Sequence, residues 1–246
     1  VEKLFGERDY YTLPVIQGPL RGFLIVICPR WDRNYLIGKH EKKVVSTICS
    51  FVHPGMVCYD VGANFGYYTL LFAKLSGQGG TVVGFEPSPE VFIHLERNVR
   101  RNNKKLAAQI YTLQKAVAQK QGQEQFFLGG STSTGRFQRY RCPNEENMVL
   151  VDTISLDEVV YSGRMPAPQF VKIDVEYAEI DVLKGMSKLL REERPILVVE
   201  ILQEEARLAA FDFLHEIGYN LKHIESNSPI VHSEQMAPGN YLALHA

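Results

Sequence analysis

An α/β domain with a doubly wound, mostly parallel sheet is the fold expected of this chain, on three observations. Short apolar runs alternate with helical stretches from residue 55 onward. The runs at 56–61, 81–86 and 169–175 each carry an acid at or near their end (Asp60, Glu86, Asp174). The first run then breaks into a glycine turn, Gly62-Ala-Asn-Phe-Gly66, that opens a helix. Strands alternating with helices imply a parallel sheet covered on both faces. A strand, tight glycine turn and helix bring backbone close to a bound nucleotide.

Residues 1–54 form a mixed N-terminal extension and a candidate lid, with a strand at 23–28, a helix at 41–51 and a His53-Pro54-Gly55 turn. Residues 55–246 form the main domain. Its first strand, 56–61, leads into a helix over 67–75 and a second strand at 81–86. Ser88 is placed as N-cap and Pro89 as first helical residue of a helix running to about Asn102. A third strand falls at 110–113, and residues 123–154 read as a β insertion around a Gly/Ser/Thr-rich turn. The rhythm resumes with a strand at 169–175, one helix at 179–190, a strand at 195–201 and a helix at 204–217. Runs at 219–224 and 241–244 complete the sheet as an antiparallel pair.

Composition narrows the class. A chain of 246 residues suits one α/β domain plus an extension. A net charge of −1 provides no field to recruit nucleic acid or an anionic membrane. Cys28, Cys49, Cys58 and Cys142 show no zinc or redox spacing, and Cys58 reads as a small buried hydrophobe. No secretory layout or membrane-length apolar run is present, so a cytoplasmic location is the default expectation. The chain begins at Val1 rather than Met, which leaves room for residues upstream.

The turn itself indicates the cofactor. A dinucleotide site needs Gly-x-Gly-x-x-Gly, so that a pyrophosphate can sit on open backbone amides. Here the spacing is Asp-x-Gly-x-Asn-x-Gly from Asp60 to Gly66. That favours S-adenosylmethionine (SAM), which has no pyrophosphate, over NAD. Asp60 is placed to answer the SAM ammonium, directly or through water. Gly62 admits close backbone approach, and Gly66 tight packing of the first helix on the sheet. Glu86, about twenty residues on, is the acid expected to hold the ribose.

A second constellation surrounds the strand end at 172–179. Alternation puts Lys172, Asp174 and Glu176 on one face, at the edge where open sheets bind ligands. Asp174 is the first candidate to bind substrate, take a hydroxyl proton or ligate a divalent cation, and Glu176 is next in reach. Glu179 has an equal claim to favouring its helix start through the macrodipole. A Lys172–Asp174 pair has a structural reading as well. His232, in a late loop, is a second candidate base; His53, His215 and His223 do not stand out from background.

Four ordered segments resemble the FkbM family of class I SAM-dependent methyltransferases. They are Asp60-Val-Gly-Ala-Asn-Phe-Gly-Tyr-Tyr-Thr, Phe85-Glu-Pro-Ser-Pro-Glu with Leu95-Glu-Arg-Asn98, Val151-Asp-Thr-Ile-Ser-Leu-Asp157, and Val171-Lys-Ile-Asp-Val-Glu-Tyr-Ala-Glu179. The resemblance spans roughly residues 55–202. It implies a Rossmann-like fold and methyl transfer, usually to oxygen, on natural products or sugars. It also implies that Asp60, Gly62, Asn64 and Gly66 line the methionine end of SAM and that Glu86 holds the ribose. The family commonly reads Asp-x-Glu-Gly-x-Glu in the fourth segment, and Tyr177 stands where that glycine is usual. Tyr177 is therefore expected to reshape the pocket or to turn its ring into it.

The expected function is O-methylation of a small hydroxylated metabolite, natural product or sugar, without nucleic-acid or membrane partners. Oligomeric state is open. The alternatives are methylation of nitrogen or of a macromolecule, and a SAM-binding module without chemistry. The Asn/Asp-Pro-Pro-aromatic motif of planar-nitrogen methyltransferases is absent. The basic run Arg97, Arg100, Arg101, Lys104 and Lys105 is explained by its place at a helix C-terminus. Tyr10, Tyr11, Phe23, Trp31 and Tyr35 are either a packed base for the extension or part of an acceptor lid. The stretch 131–136 is either a mobile loop or a hairpin turn.

Overall fold

The computed structural model describes residues 10–128, 135–137, 139 and 148–246, without the side chains of residues 29–32. Cys142, the side chain of Trp31 and residues 131–134 of the expected hairpin turn lie outside the described residues.

The central sheet is mixed. Its parallel core is β3 (Val57–Val61), β4 (Thr81–Phe85), β5 (Gln109–Leu113), β10 (Phe170–Ile173) and β11 (Ile196–Ile201). Beyond β11 lie β14 (Gly239–His245), β12 (Tyr219–His223) and β13 (Ser228–Ile230), all antiparallel. The order is β13-β12-β14-β11-β10-β3-β4-β5. From β3 the chain builds outward to β5 and then crosses to β10 on the other side of β3. The switch point between β3 and β10 is where such sheets bind ligands.

Strand parity separates two cores. Tyr59, Val61, Val83, Phe85, Val171, Ile173, Leu197 and Val199 face one side. There they meet α5 (Leu156–Tyr161), α6 (Glu179–Lys184), α7 (Ser187–Glu192) and α8 (Glu204–Glu216). Cys58, Val82, Phe170 and Val198 face the other side, against α2 (Lys42–Phe51), α3 (Tyr67–Ser76) and buried residues of the extension such as Phe23, Ile25 and Ile27. The same parity turns Asp60, Lys172 and Glu200 toward this second layer, which decides where their charges meet.

The extension is tied to the main domain by two asparagines on α4 (Pro89–Asn102). Asn98 Oδ1 accepts the backbone N–H of Val26 at 2.6 Å, and its Nδ2 donates to the Phe65 carbonyl at 2.8 Å. One turn on, Asn102 accepts from Leu24 N–H at 2.9 Å and donates to the Leu24 carbonyl at 2.7 Å. Each amide acts as a strand partner for β2 (Leu24–Ile27), which pairs antiparallel with β1 (Tyr11–Pro14). Part of the basic run also serves this junction: Arg101 donates to Thr12 Oγ1 at 2.5 Å, and Lys105 to the Gly22 carbonyl.

The insertion holds β6 (Ala116–Val117), β7 (Gly122–Phe127), β8 (Arg136–Phe137) and β9 (Met148–Ile154) in the order β6-β9-β7-β8. The single helix expected over 179–190 is broken between α6 and α7. A Cβ on Gly185 would lie 2.1 Å from the Ala118 carbonyl oxygen, so the chain turns there against the insertion. Asp157 then caps α7 from a distance, accepting the N–H groups of Lys188 and Leu189 at 3.0 and 2.8 Å. Ser155 caps α5 by accepting Glu158 N–H at 3.1 Å. The third sequence segment, ending at Asp157, therefore serves helix capping rather than the site. The first helix of the extension, α1 (Pro29–Leu36), and the edge strands β1 and β13 were not anticipated. No helix among the described residues is long and apolar enough to cross a membrane.

Candidate active site

A cavity of about 580 Å³ opens at the C-terminal ends of β3, β4, β10 and β11. One wall is the glycine turn. Gly62, Asn64 and Gly66 all have positive φ (+81°, +49° and +83°), and asparagine tolerates that region better than other side-chain-bearing residues. A Cβ on Gly62 would lie 1.8 Å from the Asp174 carbonyl oxygen. Gly62 is thus required first by the neighbouring strand end. Gly66 is favoured by its φ of +83°, and a Cβ there would also press on Leu95 Cδ1 of α4 at 2.4 Å, the movable end of a side chain.

Glu86 closes this half. Its carboxylate accepts the backbone N–H groups of Asn64 and Ser88, each at 2.9 Å, and joins the turn to the N-terminus of α4. Burial pushes its carboxyl up to about 7, against the pull of those two amides. Asp60 lies beneath the turn and is not among the residues lining the cavity. Its Oδ2 accepts from Thr69 Oγ1 at 2.6 Å, while its buried Oδ1 has no hydrogen-bond partner. Burial raises this carboxyl to about 6, although Lys172 favours its charge.

The other half gathers charges from three segments. Lys172, fully buried, donates to Asp174 Oδ2 at 2.5 Å and lies 4.3 Å from the centre of the Tyr68 ring. Burial opposes its charge, but Asp174, Glu41 and Asp60 together hold its ammonium above the usual range. Burial also opposes the charge on Asp174, and the Lys172 ammonium with a hydrogen bond from Glu200 outweighs it, so Asp174 is held low. Glu200, at the end of β11, is driven up to about 8 by burial and then by the Asp174 carboxylate. That shift favours the protonated form, whose O–H donates a hydrogen bond to the Asp174 carboxylate. Glu176 also lines the cavity, its carboxyl raised by burial and by Asp174.

Two further groups come from the extension. Glu41 accepts a hydrogen bond from Tyr68 Oη and has φ +36°, an uncommon backbone state for glutamate. His40 sits 3.9 Å from Tyr35, centre to centre, and also contacts the rings of Tyr67 and Tyr68. Burial and then Lys172 lower His40 to about 4, so its ring is neutral at pH 7. His40, Glu41 and Glu200 were not singled out in the sequence. The one available signal was a His-Glu pair directly before an expected helix, and nothing local ties that pair to residue 174.

The expected site residues do not all converge. Asp174, Glu176, Gly62, Asn64 and Glu86 line the cavity, as do Tyr10 and Tyr35 of the aromatic group. His232 is exposed in the turn after β13 and is not among the lining residues. Glu179 is buried outside the cavity lining; its carboxylate accepts its own and the Tyr177 backbone N–H, and burial raises it to about 8. Tyr177 has φ +67°, the state glycine adopts freely and a tyrosine at a cost of about 1–2 kcal/mol. Its ring is exposed rather than turned into the cavity, and the guanidinium of Arg136 lies 5.3 Å from its centre. Among the described residues no group of three or more His, Cys, Asp or Glu is arranged to hold a metal ion.

Comparison with known proteins places this geometry. The profile described as "Methyltransferase FkbM domain" matches residues 60–221. Over 158 residues the chain is 29% identical to hexuronic acid methyltransferase AglP of Haloferax volcanii, covering 64% of this chain and 61% of that protein. It is 47% identical over 51 residues to 31-O-demethyl-FK506 methyltransferase FkbM of Streptomyces tacrolimicus, 21% of this chain and 19% of that one. Both matches thus span less than two thirds of the relative's length. The crystal structure of methyltransferase FkbM from Methylobacillus flagellatus superposes with a TM-score of 0.50 at 17% identity, over 76% of this chain and 43% of that one, a likeness of fold. The profile match runs from the acid of β3 through the glycine turn and the β10 strand end to β12, and the chain belongs to the FkbM methyltransferase family.

Proposed function

We propose that this protein transfers a methyl group from SAM to a hydroxyl of a small hydroxylated acceptor, a sugar or a natural product. The observation that carries this is the cavity at the switch point, with a loop-binding acid, Glu86, on one side and the Asp174 cluster on the other. Its volume suits a cofactor and a small acceptor together. The residues present fit SAM. Glu86 keeps lone pairs for a ribose, Gly62 and Asn64 present backbone to the cavity, and the unpartnered Oδ1 of Asp60 offers negative charge below the turn, reached through water. The relatives named for a hexuronic acid and for 31-O-demethyl-FK506 support a hydroxylated acceptor.

When bound, SAM supplies an activated methyl on a sulfonium. The chain's own share is alignment, which alone is worth roughly 7–11 kcal/mol for well-oriented partners. Asp174 accepts the acceptor hydroxyl as a hydrogen bond and takes its proton. Held low by Lys172, it is a weak base, so its main contribution is to orient the oxygen, with Glu200 reporting on the same carboxylate. His40, neutral and within the aromatic group, is a further base on the same side. Residues 10–54 contribute Tyr35, His40 and Glu41 to this acceptor side, as a wall rather than a detached lid.

Calorimetric titration with SAM, S-adenosylhomocysteine and NAD tests the reading. Saturable binding of the first two, lost in Glu86→Ala and absent with NAD, is expected. Binding of NAD in place of SAM would overturn it. Retained SAM binding with no S-adenosylhomocysteine formed across a broad panel of hydroxylated acceptors would instead favour a module without chemistry.

A further inference from the structure

We propose that the open edge of β5, flanked by Arg97 and Arg100 of α4, is a docking site for an extended acidic segment of a partner protein, which adds a strand to the central sheet. The groove that receives it shares no lining residue with the active-site cavity. Docking there is separate from methyl transfer and does not rest on it.

The two ends of the central sheet are built differently. One edge is β13, three residues long, with Pro229 at its centre and Asn227 at φ +62° just before it. A short strand with proline resists further pairing. The other edge is β5, Gln-Ile-Tyr-Thr-Leu over Gln109–Leu113, with neither proline nor charge. Its ladder to β4 is parallel; Gln109 N–H donates to the Gly80 carbonyl at 2.9 Å, and the Leu113 carbonyl accepts Glu86 N–H at 3.1 Å. Alternation then turns the N–H and C=O groups of Ile110 and Thr112 outward, away from the sheet. No backbone bond to these four groups exists among the described residues. Tyr111, between them, is 41% exposed. Five β-favouring residues with an unpaired edge form a template for strand addition.

A groove of about 600 Å³ lies between this strand and α4. Val99, Leu106, Ala108 and Ile110, packed on the second core, give it an apolar floor, and Ile93 stands half exposed beside them. Arg97 and Arg100 line it too, and neither has a hydrogen-bond or ion-pair partner among the described residues. Glu96, the only acid of the described lining, is engaged by Thr112 Oγ1 at 2.9 Å. The helix C-terminus accounts for Arg100 but not for Arg97, which lies before the last turn. Residues three apart on a helix are about 5–6 Å apart at Cβ, and alternate residues of a strand about 7 Å. An added strand with acids at alternate positions thus meets both guanidinium groups, on the face that Ile110 and Thr112 share with α4. A second copy of this chain fits less well. Pairing β5 with itself about a twofold axis sets two α4 helices side by side, with arginines facing arginines. An anionic bilayer would meet the arginines and leave the edge amides of Ile110 and Thr112 unpaired.

The test titrates the full chain with a fluorescein-labelled peptide of alternating glutamate and valine, read by fluorescence anisotropy. The controls are its lysine–valine counterpart and two N-methylated forms, one blocked at every glutamate nitrogen and the other at every valine nitrogen. Those two sets of N–H groups point to opposite edges of an extended peptide, so only one set faces β5. The acidic peptide is expected to bind about tenfold tighter than the lysine peptide, and about tenfold more weakly to the exposed double variant Arg97→Glu/Arg100→Glu, whose thermal unfolding is checked against the parent. One methylated form should lose binding and the other keep it, an outcome that charge attraction alone cannot give. Amide exchange followed by NMR should slow at Ile110 and Thr112 when the peptide is bound. No binding of the acidic peptide, equal binding of both methylated forms, or unchanged exchange at those two amides overturns the proposal. A dimer in sedimentation with both amides already protected would assign the edge to a second copy, and binding to phosphatidylglycerol vesicles but not to the peptide would assign the arginines to a membrane; either overturns it as well.

Discussion

Gly62 and the backbone carbonyl of Asp174 are so close that a single added Cβ would come within 1.8 Å of the oxygen. The cofactor turn and the second acidic strand end are thereby one rigid unit, although they lie far apart in the sequence. The carboxylate of Asp174 takes its position relative to the turn from this contact and from its own N–H, which donates to the Val61 carbonyl at 2.9 Å.

Gly62→Ala is therefore expected to disrupt fold and site together. The substitution meets both the positive φ and the backbone clash, for a combined destabilisation of about 2–5 kcal/mol. Denaturant unfolding measures it, and a loss under about 1 kcal/mol would mean that the two segments are less tightly joined than the contact implies.

Cofactor binding should depend on pH through Glu86 and Asp60. Both carboxyls are raised in the folded chain, to about 7 and about 6. A raised acid keeps its proton in the fold at pH values where the unfolded chain has released it. Its contribution to stability is thus largest below the ordinary carboxylate range and declines as pH rises through the folded value. A cationic cofactor prefers the ionised forms, so SAM affinity should climb between pH 5.5 and 8 with release of protons. Calorimetry in buffers of different ionisation enthalpy checks this, and Glu86→Gln should flatten the upper part of the rise. A flat parent profile would separate both acids from the cofactor.

For Asp174→Asn we expect SAM affinity within a few-fold of the parent and turnover lowered by ~10²–10⁴. The same change leaves the buried Lys172 ammonium without its carboxylate, at a cost of roughly 1–3 kcal/mol. Lys172→Met is the converse variant, since it removes the ammonium that holds Asp174 low and leaves burial to raise that carboxyl. Equal turnover in Asp174→Asn and the parent would leave His40 as the base to pursue.

Asn98→Ala should release β2 from α4 while sparing Glu86 and Asp174. Losing amide bonds to Val26 and Phe65 leaves buried backbone groups unpaired, for about 2–4 kcal/mol in all. Limited proteolysis would then cut within the first 54 residues sooner than in the parent. An unchanged cleavage pattern would mean that the apolar contacts of Phe23, Ile25 and Ile27 hold the extension unaided.

Asp157→Ala offers the contrast of a family segment outside the site. Loss of the α7 cap should cost about 0.5–2 kcal/mol and leave SAM affinity unchanged. A large drop in affinity at constant stability would place Asp157 in the machinery after all.

Much of this was legible in the chain because it rests on local rules. Alternation marked β3, β4, β10 and β11, Ser88 and Pro89 marked the start of α4, and the spacing of Gly62, Asn64 and Gly66 marked a turn that needs positive φ at each of those positions. Those constraints act within a few residues, so sequence alone determined the strand–turn–helix unit, the acids that follow it and the family to which they belong. What only the tertiary structure decided is which distant groups share one volume. Register sets Lys172 beside Asp60, parity puts Glu200 on the same face of the sheet, and the Asn98 and Asn102 amides fasten the extension that delivers His40 and Glu41. The break at Gly185 and the strained Tyr177 beneath Arg136 belong there too. Each depends on a contact between segments far apart in the chain, and the energy of such a contact is written in packing rather than in any local pattern of residues.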